Sequence, residues 1–522
     1  MFPSPAIHRT QFTAILLALA VALLLASCAG QQSASEDPPQ PVAGESEAET
    51  YLRTALHYVE QRQFDKAMDD LRRVLALEPD NVRAHAVMGE LHRIADRHEE
   101  AITHYSEALR INPEFTAVYT NRGRSHGALG QYAKAVQDLD MAIDIGPADA
   151  EMFYYRGLYR IYAKEHAKAL EDFTQAIALD PTIAHAYNNR GVLLQRAGKA
   201  QEALADFNKA LELEAKDAML YNNRAELLID LEQYDAAMND LNTAIEVNPQ
   251  YAVAYNNRGA LLNMARKYER AIPNFDRAIE LDGEYDRAYS NRGRAHLESG
   301  SFDAAIKDFR QAIRISPDFA TPYIYMGQAY VRQQQVDTAI EIYSDGIAKA
   351  PGDEDLYFHR GTALKMQGQT KKAMQDFDKA LEHNPNHAFA LSNKGSIFQE
   401  WGRCGEAIAH SDKVIALLPE AFVGYNNKAW VLATCKQDRF RNGKEAVRIA
   451  REALRLSDNL PGVMDTLAAA HAEAGEFAAA VQMQQQALDK LEGDGPRSAE
   501  FKKRLEAYQA KKAWRQEPAA PK

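Results

Sequence analysis

Apolar residues recur at helical spacing along most of the chain, in blocks of roughly a dozen residues that come in pairs. Between Asp286 and Phe319, Tyr289, Arg292, Gly293 and His296 mark one face of a first block. Gly300 and Phe302 interrupt it, and Ala305, Phe309, Ala312 and Ile315 then mark a second block that stops before Pro317. The pattern predicts helix, turn, helix, stop. Small residues at Gly293, Ala305 and Ala312 permit a close approach of two helices, while Tyr289, Phe302 and Phe309 fill the space around the contact. The expected unit is an antiparallel helical hairpin.

The unit repeats every 34 residues, with closing prolines at 79, 113, 147, 181, 249, 317, 351, 385 and 419. Alanines keep the same step, from Ala67, Ala101 and Ala135 to Ala339, Ala373 and Ala407. An aromatic residue, a small residue in the eighth place, two alanines and a closing proline make the unit resemble the tetratricopeptide repeat family. The resemblance implies an all-α fold, a right-handed superhelical solenoid of about thirteen hairpins whose first helices line a concave face. Residues 47–420 supply eleven regular repeats, residues 421–490 two altered ones, and residues 497–516 a C-terminal capping helix. Ala215 and Gly283 replace the closing proline, and Pro273 early in a second helix predicts a slight kink. From Tyr425 onward the twelfth copy has its first helix or its turn lengthened by about five residues.

At the N-terminus, Arg9 precedes an apolar stretch from Ala14 to Ala26 that is short for a membrane span and ends in small residues, which predicts a signal peptide over residues 1–27. Leu25, Ala26, Ser27 and Cys28 resemble the lipobox of bacterial lipoproteins, and the resemblance implies cleavage before Cys28 and lipidation of its thiol. Ala29 after that cysteine favours, by the same resemblance, the outer membrane facing the periplasm as the place in the cell envelope. Residues 28–46 lack apolar periodicity and are rich in Pro, Ser, Gln and Gly, so a lipidated, disordered tether reaching about 20 to 25 Å is expected.

The net charge of −12 argues against nucleic acid as the partner, which rewards basic patches. Cys404 and Cys435 fall on the same edge of adjacent repeats and are read either as a disulfide or as two packed thiols. His85, His92, His98 and His104 cluster in the second repeat, where hydrogen-bonded core histidines compete with a zinc site. No phosphate loop, HExxH or nucleophile elbow is found, and no length remains for a catalytic domain, so neither a catalytic residue nor a cofactor is expected.

Two positions carry more information. At the seventh, arginine recurs as Arg122, Arg156, Arg190, Arg224, Arg258, Arg292 and Arg360, and sixteen residues on stand Asp138, Asp172, Asp206, Asp240, Asn274, Asp308 and Asp376. Where the arginine is Met326 the partner is Ile342, so the two positions read as a contact across the hairpin. Position six points nearly opposite to the core-facing fourth, eighth and eleventh, and holds Asn121, Asn189, Asn223, Asn257, Asn291, Asn393 and Asn427. These amides are the candidate peptide-binding residues. The expected protein is a non-catalytic, membrane-anchored scaffold for a protein or extended peptide, with the oligomeric state left open. One alternative is an assembly subunit of an envelope or secretion machine gripping a folded partner. The other is a metal-dependent enzyme using the histidines.

Overall fold

The computed structural model describes residues 44–491 and 495–518. Among them are 27 α-helices and one short 3-10 helix, and no strand. The all-α expectation holds. The signal peptide, Cys28 and most of the tether lie outside the described residues. Its last residues are ordered: Ser46 caps the first helix, Glu47–Glu60, in a capping box with Glu49, and Arg53 grips the Glu45 carboxylate at 2.7 and 3.0 Å.

The chain forms two compact units, Met1–Ala254 and Tyr255–Lys522. The first holds six complete hairpins, beginning with Glu47–Glu60 and Phe64–Leu77 and ending with Ala218–Asp230 and Tyr234–Val247. The second holds most of the helix Ala252–Met264, its partner Tyr268–Leu281, six further hairpins and a terminal helix, Pro496–Gln509. Below, A and B denote the first and second helix of each repeat.

In most hairpins the close approach falls where a glycine or alanine of A meets a large buried side chain of B. A Cβ on Gly293 would lie 2.6 Å from Phe309, and one on Gly259 would lie 2.7 Å from Phe275. Both rings are fully buried. In every described hairpin but the twelfth, the turn from A to B has one residue in the left-handed region, such as Gly300 at φ 82°, after which Ser301 N–H reaches back to the His296 carbonyl at 2.8 Å. Glu232 occupies the same place at φ 58°, although a side chain there is strained.

The arginine at position seven confirms the paired contact and extends it. Arg190 Nε and Nη2 meet the two Asp206 oxygens at 2.7 and 2.8 Å, and the same fork joins Arg122 to Asp138, Arg224 to Asp240, Arg292 to Asp308 and Arg360 to Asp376. Arg156 also pairs with Asp172, which Arg160 shares. The remaining nitrogen, Nη1, points to the B helix of the preceding repeat: Asp140 for Arg156 at 2.7 Å, Asn208 for Arg224 at 2.8 Å and Asp276 for Arg292 at 2.6 Å. One side chain therefore ties its own hairpin to the one before it. Arg258 meets the neutral Asn274, whose own amide donates to the Arg270 carbonyl, a bond that aspartate could not make. Burial pushes the Arg258 guanidinium down, whereas hydrogen bonding to Asp206 pushes Arg190 up.

Two open readings are decided, and one expectation needs correction. Asp438–Phe440 forms a 3-10 turn after a helix of ordinary length, Phe422–Thr434, so the extra residues of repeat 12 lie in the turn. The capping helix runs over Pro496–Gln509, not to residue 516: Lys511 turns left-handed at φ 56°, Lys512 N–H closes on the Ala507 carbonyl, and the chain then continues without helix. Cys404 and Cys435 are joined as a disulfide, with Cα atoms 6.4 Å apart, which decides between the two readings.

Removing either Arg190 or Asp206 leaves a partly buried charge unmatched, and Arg190→Met or Asp206→Ile alone is expected to cost about 1 to 3 kcal/mol. The double variant, which copies Met326 and Ile342 of repeat 9, should cost less than the sum in chemical denaturation. Strict additivity would show that the pair is not coupled.

Candidate functional site

On an A helix, positions two, nine and thirteen share the face of position six, because their offsets return within about 60° at 100° per residue. This face carries most of the side chains in the A helices that are free of the hairpin contact. The structure places the seven asparagines on it, but gives them work within the fold. Asn189 and Asn223 are buried, at 4% and 8% exposure, and Asn121, Asn257, Asn291, Asn393 and Asn427 are half-buried.

Neighbouring A helices are joined through these amides. In the first unit, Asn223 Nδ2 donates to Asn188 Oδ1 at 2.9 Å, and Asn188 Nδ2 in turn faces Asn189 Oδ1 at 3.3 Å. In the second, Asn291 Nδ2 donates to Asn256 Oδ1 at 3.0 Å, and Asn427 Nδ2 to Ser392 Oγ at 3.1 Å. In these three pairs position six of one repeat bonds position five of the repeat before it. Asn393 instead donates to the Phe389 carbonyl of its own helix at 3.1 Å. Asn189 lowers the tendency of the buried Tyr154 hydroxyl, at position five of the preceding repeat, to keep its proton, although burial dominates and pushes that hydroxyl up.

A charged cluster on the same side of repeats 2 to 4 escaped the sequence reading. Arg93 forks onto Glu90 at 2.5 and 2.9 Å, and the Tyr105 hydroxyl donates to the same carboxylate at 2.8 Å. Arg124 reaches Glu151 at 3.0 Å and covers the Tyr155 ring, 4.5 Å from its centroid. Burial pushes the Glu90 carboxyl up, but Arg93, Arg124 and Tyr105 outweigh it and hold it down to about 2. Charged residues at positions two, nine and twelve of successive copies were the signal available in the sequence. The cluster is balanced, with two cations against two anions, and offers no unmatched charge to a ligand.

His85, His92 and His104 come together, whereas His98 sits beside Asp96 at 3.8 Å. His85 Nε2 donates to the Pro79 carbonyl at 3.0 Å, which leaves its Nδ1 to accept from His104 Nδ1 at 3.1 Å, and His92 stacks on His104. No group of three or more His, Cys, Asp or Glu among the described residues is arranged to hold a metal ion. Burial, with His85 and His92, holds His104 down to about 4. The unfolded histidine, near 6.5, gains its proton first on acidification. Stability from this group should therefore be complete above pH of about 6.5 and be lost progressively toward pH 4. Thermal melting is expected to show that loss, and His104→Gln should flatten it.

No helix among the described residues is long and apolar enough to cross a membrane. Five family models match the chain, all described as TPR or tetratricopeptide repeats: residues 52–114 and 120–182, 173–205, 225–264 and 293–334, 354–387, and 462–492. No curated protein matches it. Among solved structures it is similar to YrrB, described as a TPR protein with an unusual peptide-binding site, at 20% identity over 35% of this chain and 95% of that one, with a TM-score of 0.32. A tetratricopeptide repeat protein from Parabacteroides merdae matches at 24% identity over 45% and 93%, with a TM-score of 0.39. The APC/C hetero-tetramer Cut9-Hcn1 matches at 14% identity over 88% and 96%, with a TM-score of 0.46. Matched by such models over more than half its length, and built throughout its described residues from paired helices, the chain belongs to the tetratricopeptide repeat family.

Proposed function

We propose that this protein is a non-catalytic scaffold that holds extended segments of partner proteins against the position-six face of its A helices, from an anchor on the extracytoplasmic side of a bacterial membrane. The observation that carries the reading is the bonding of amides between successive A helices. A carboxamide has two donors and an acceptor oxygen with two lone pairs, and each inter-repeat bond uses only part of that capacity. The same bond holds the group in one orientation, so a segment that pairs with it does not have to order the side chain first. Backbone groups of an extended chain match amides without regard to sequence, which suits a scaffold with many clients. The half-buried members, Asn121, Asn257, Asn291, Asn393 and Asn427, are the contact residues of this proposal. Asn189 and Asn223, being buried, act by holding neighbouring helices in place.

The anchor rests on Cys28 and the lipobox-like residues before it, with the tether keeping the repeats off the bilayer. The envelope setting agrees with a disulfide between Cys404 and Cys435, a bond typical of oxidising compartments.

Replacing Asn121, Asn257, Asn291 and Asn393 together by Ala should weaken binding of a partner obtained by affinity capture about tenfold or more, equivalent to 1.4 kcal/mol. Helicity should be retained. Unchanged affinity would move the binding site to the outer face or the repeat edges. Separately, Cys28→Ser should release a folded protein from the membrane fraction, because a tether alone has no affinity for lipid. A variant that still sediments with membranes would refute the anchor.

A further inference from the structure

The segment that follows the last helix does not trail into solvent. Residues 513–516 are half-buried against the A helices of repeats 11 to 13. Gln516 makes three contacts there: its backbone N–H donates to the Thr434 carbonyl at 3.0 Å, and its side-chain oxygen accepts from Trp430 Nε1 at 2.6 Å and Gln399 Nε2 at 3.0 Å. Arg515 reaches Glu473 at 2.7 Å, Glu517 reaches Lys436 at 2.6 Å, and Pro518 rests on Gly402, where a Cβ would come within 2.9 Å of its ring. Trp430 stands at position nine of its helix, and Thr434 and Glu473 stand at position thirteen of theirs. The tail therefore lies on the same face as Asn427.

The altered turn of repeat 12 explains why this place receives a chain. Elsewhere an A helix closes with a left-handed residue and a return bond such as Ser301 to His296. After Phe422–Thr434 the chain instead leaves through Cys435 at φ −53° and ψ 133°, and the closing bond is made only after the added residues, from Asn442 N–H to the Leu432 carbonyl at 3.0 Å. A helix end has carbonyls without a helical partner, and Gln516 N–H serves the one on Thr434. The additional residues bring Lys436 to the rim, and the disulfide fixes Cys435 against Cys404 beneath a cavity of about 210 Å³ that Gln516 and Pro518 help to line. Main-chain pairing, an amide between two donors and two oppositely charged rim contacts are the contacts of a bound peptide.

We propose that Trp514–Pro518 is a displaceable self-ligand, and that the site beneath it takes an extended segment of a partner protein with arginine, glutamine, an acidic residue and proline in that order. Glu473 selects the arginine, Trp430 and Gln399 the glutamine, Lys436 the acid and Gly402 the proline. The tail is attached to the site by the terminal helix, so it competes at an effective concentration on the order of millimolar, and only a segment that reproduces its contacts displaces it. The proposal rests on the reading that the position-six face receives chain segments. Its probe is the chain's own tail, so a failure here leaves the sites from Asn121 to Asn393 to their own test.

The test uses the full chain and a labelled peptide of residues 511–518. Fluorescence anisotropy compares the wild type, a tail-weakened variant carrying Trp514→Ala and Gln516→Ala, and that variant with Gln399→Ala added. The tail-weakened variant should bind the peptide about tenfold or more tightly than the wild type, and the added substitution should abolish the gain. Equal binding to the first two proteins, or no binding to a tail-weakened variant of unchanged helicity, overturns the proposal. So does a wild type that light scattering shows to be a dimer and whose tail-weakened variant is a monomer, since the site would then hold a second copy's tail. If the variant loses helicity, amide exchange in the wild type decides. Exchange of Gln516 N–H about tenfold faster than that of the Tyr508 amide is expected, and equal protection overturns the proposal.

Discussion

The closest approach of the two helices in each hairpin limits what every other position in the repeat may be. Where B carries an aromatic ring, as at Tyr105, Phe173, Phe207, Phe275, Phe309, Tyr343 and Phe377, the facing residue of A is glycine in every case: 89, 157, 191, 259, 293, 327 and 361. Where B carries leucine at that place, at Leu71, Leu139 and Leu241, A carries Ala55, Gly123 and Ala225. A methyl group is admitted only when the opposing side chain gives up its ring. Dense packing makes this exchange necessary, since a Cβ at 2.6 Å from a ring carbon demands movement of one helix. With the helices that close, position seven of A stands opposite a carboxylate of B, and the arginine fork follows from the spacing.

Those forks bear more on register than on net stability. The aspartates are almost fully buried, at 2% for Asp172 and 6% for Asp206, and the cost of taking a charge from water cancels much of the attraction. What the arginine supplies is direction, because its fork engages its own hairpin while Nη1 engages the preceding one. The substitutions at repeats 9, 11 and 12 fit this division. Lys394 and Lys428 keep only the backward contact, to Asp378 and Asp412. At repeat 9 the backward position is itself an arginine, Arg310, which would repel a second one. Met326 stands there instead, and Arg310 turns to the Tyr330 hydroxyl at 3.0 Å.

The hairpins, their number and the contact across them were legible because each depends on residues inside a single 34-residue copy, and comparison of copies exposes it. Contacts between copies were hidden. The backward partner of Arg156 is Asp140, sixteen residues earlier, and the partner of Asn223 is Asn188, thirty-five residues earlier. The column of Asp140 varies between polar residues and that of Asn188 changes to Ile324 or Phe358 in other copies, so no single column announces the bond. Helical-wheel reasoning turned the asparagines away from the core-facing positions of their own hairpin but could not show that stacking brings the next helix within reach of them. The end of the terminal helix was misjudged for a related reason. Nothing local forbids helix from Gln509 to Trp514, and the stop is set by Trp514 and Gln516 finding partners in repeats 11 to 13.

The two irregular features of the chain, the lengthened turn and the tail beyond the last helix, are parts of one arrangement. A repeat array conceals its helix ends by giving each the same closing turn, and an array built only from regular copies presents the same face at every step. Repeat 12 loops out between Thr434 and Asn442 before Asn442 closes on Leu432, adds a cation at Lys436, and is held to repeat 11 by the disulfide. Such a place is polar, partly desolvated and fixed in shape, which is costly to leave unmatched. The tail matches it. Amides such as Asn223, Asn291 and Asn427 are joined to the preceding repeat, and the looped turn is joined to both its neighbours through Gln437 to the Gly402 carbonyl and Arg441 to Glu473, while Trp430, Gln399 and Lys436 meet the tail. Departure from the repeat thus gives one end of the second unit side-chain and main-chain contacts that the regular copies lack.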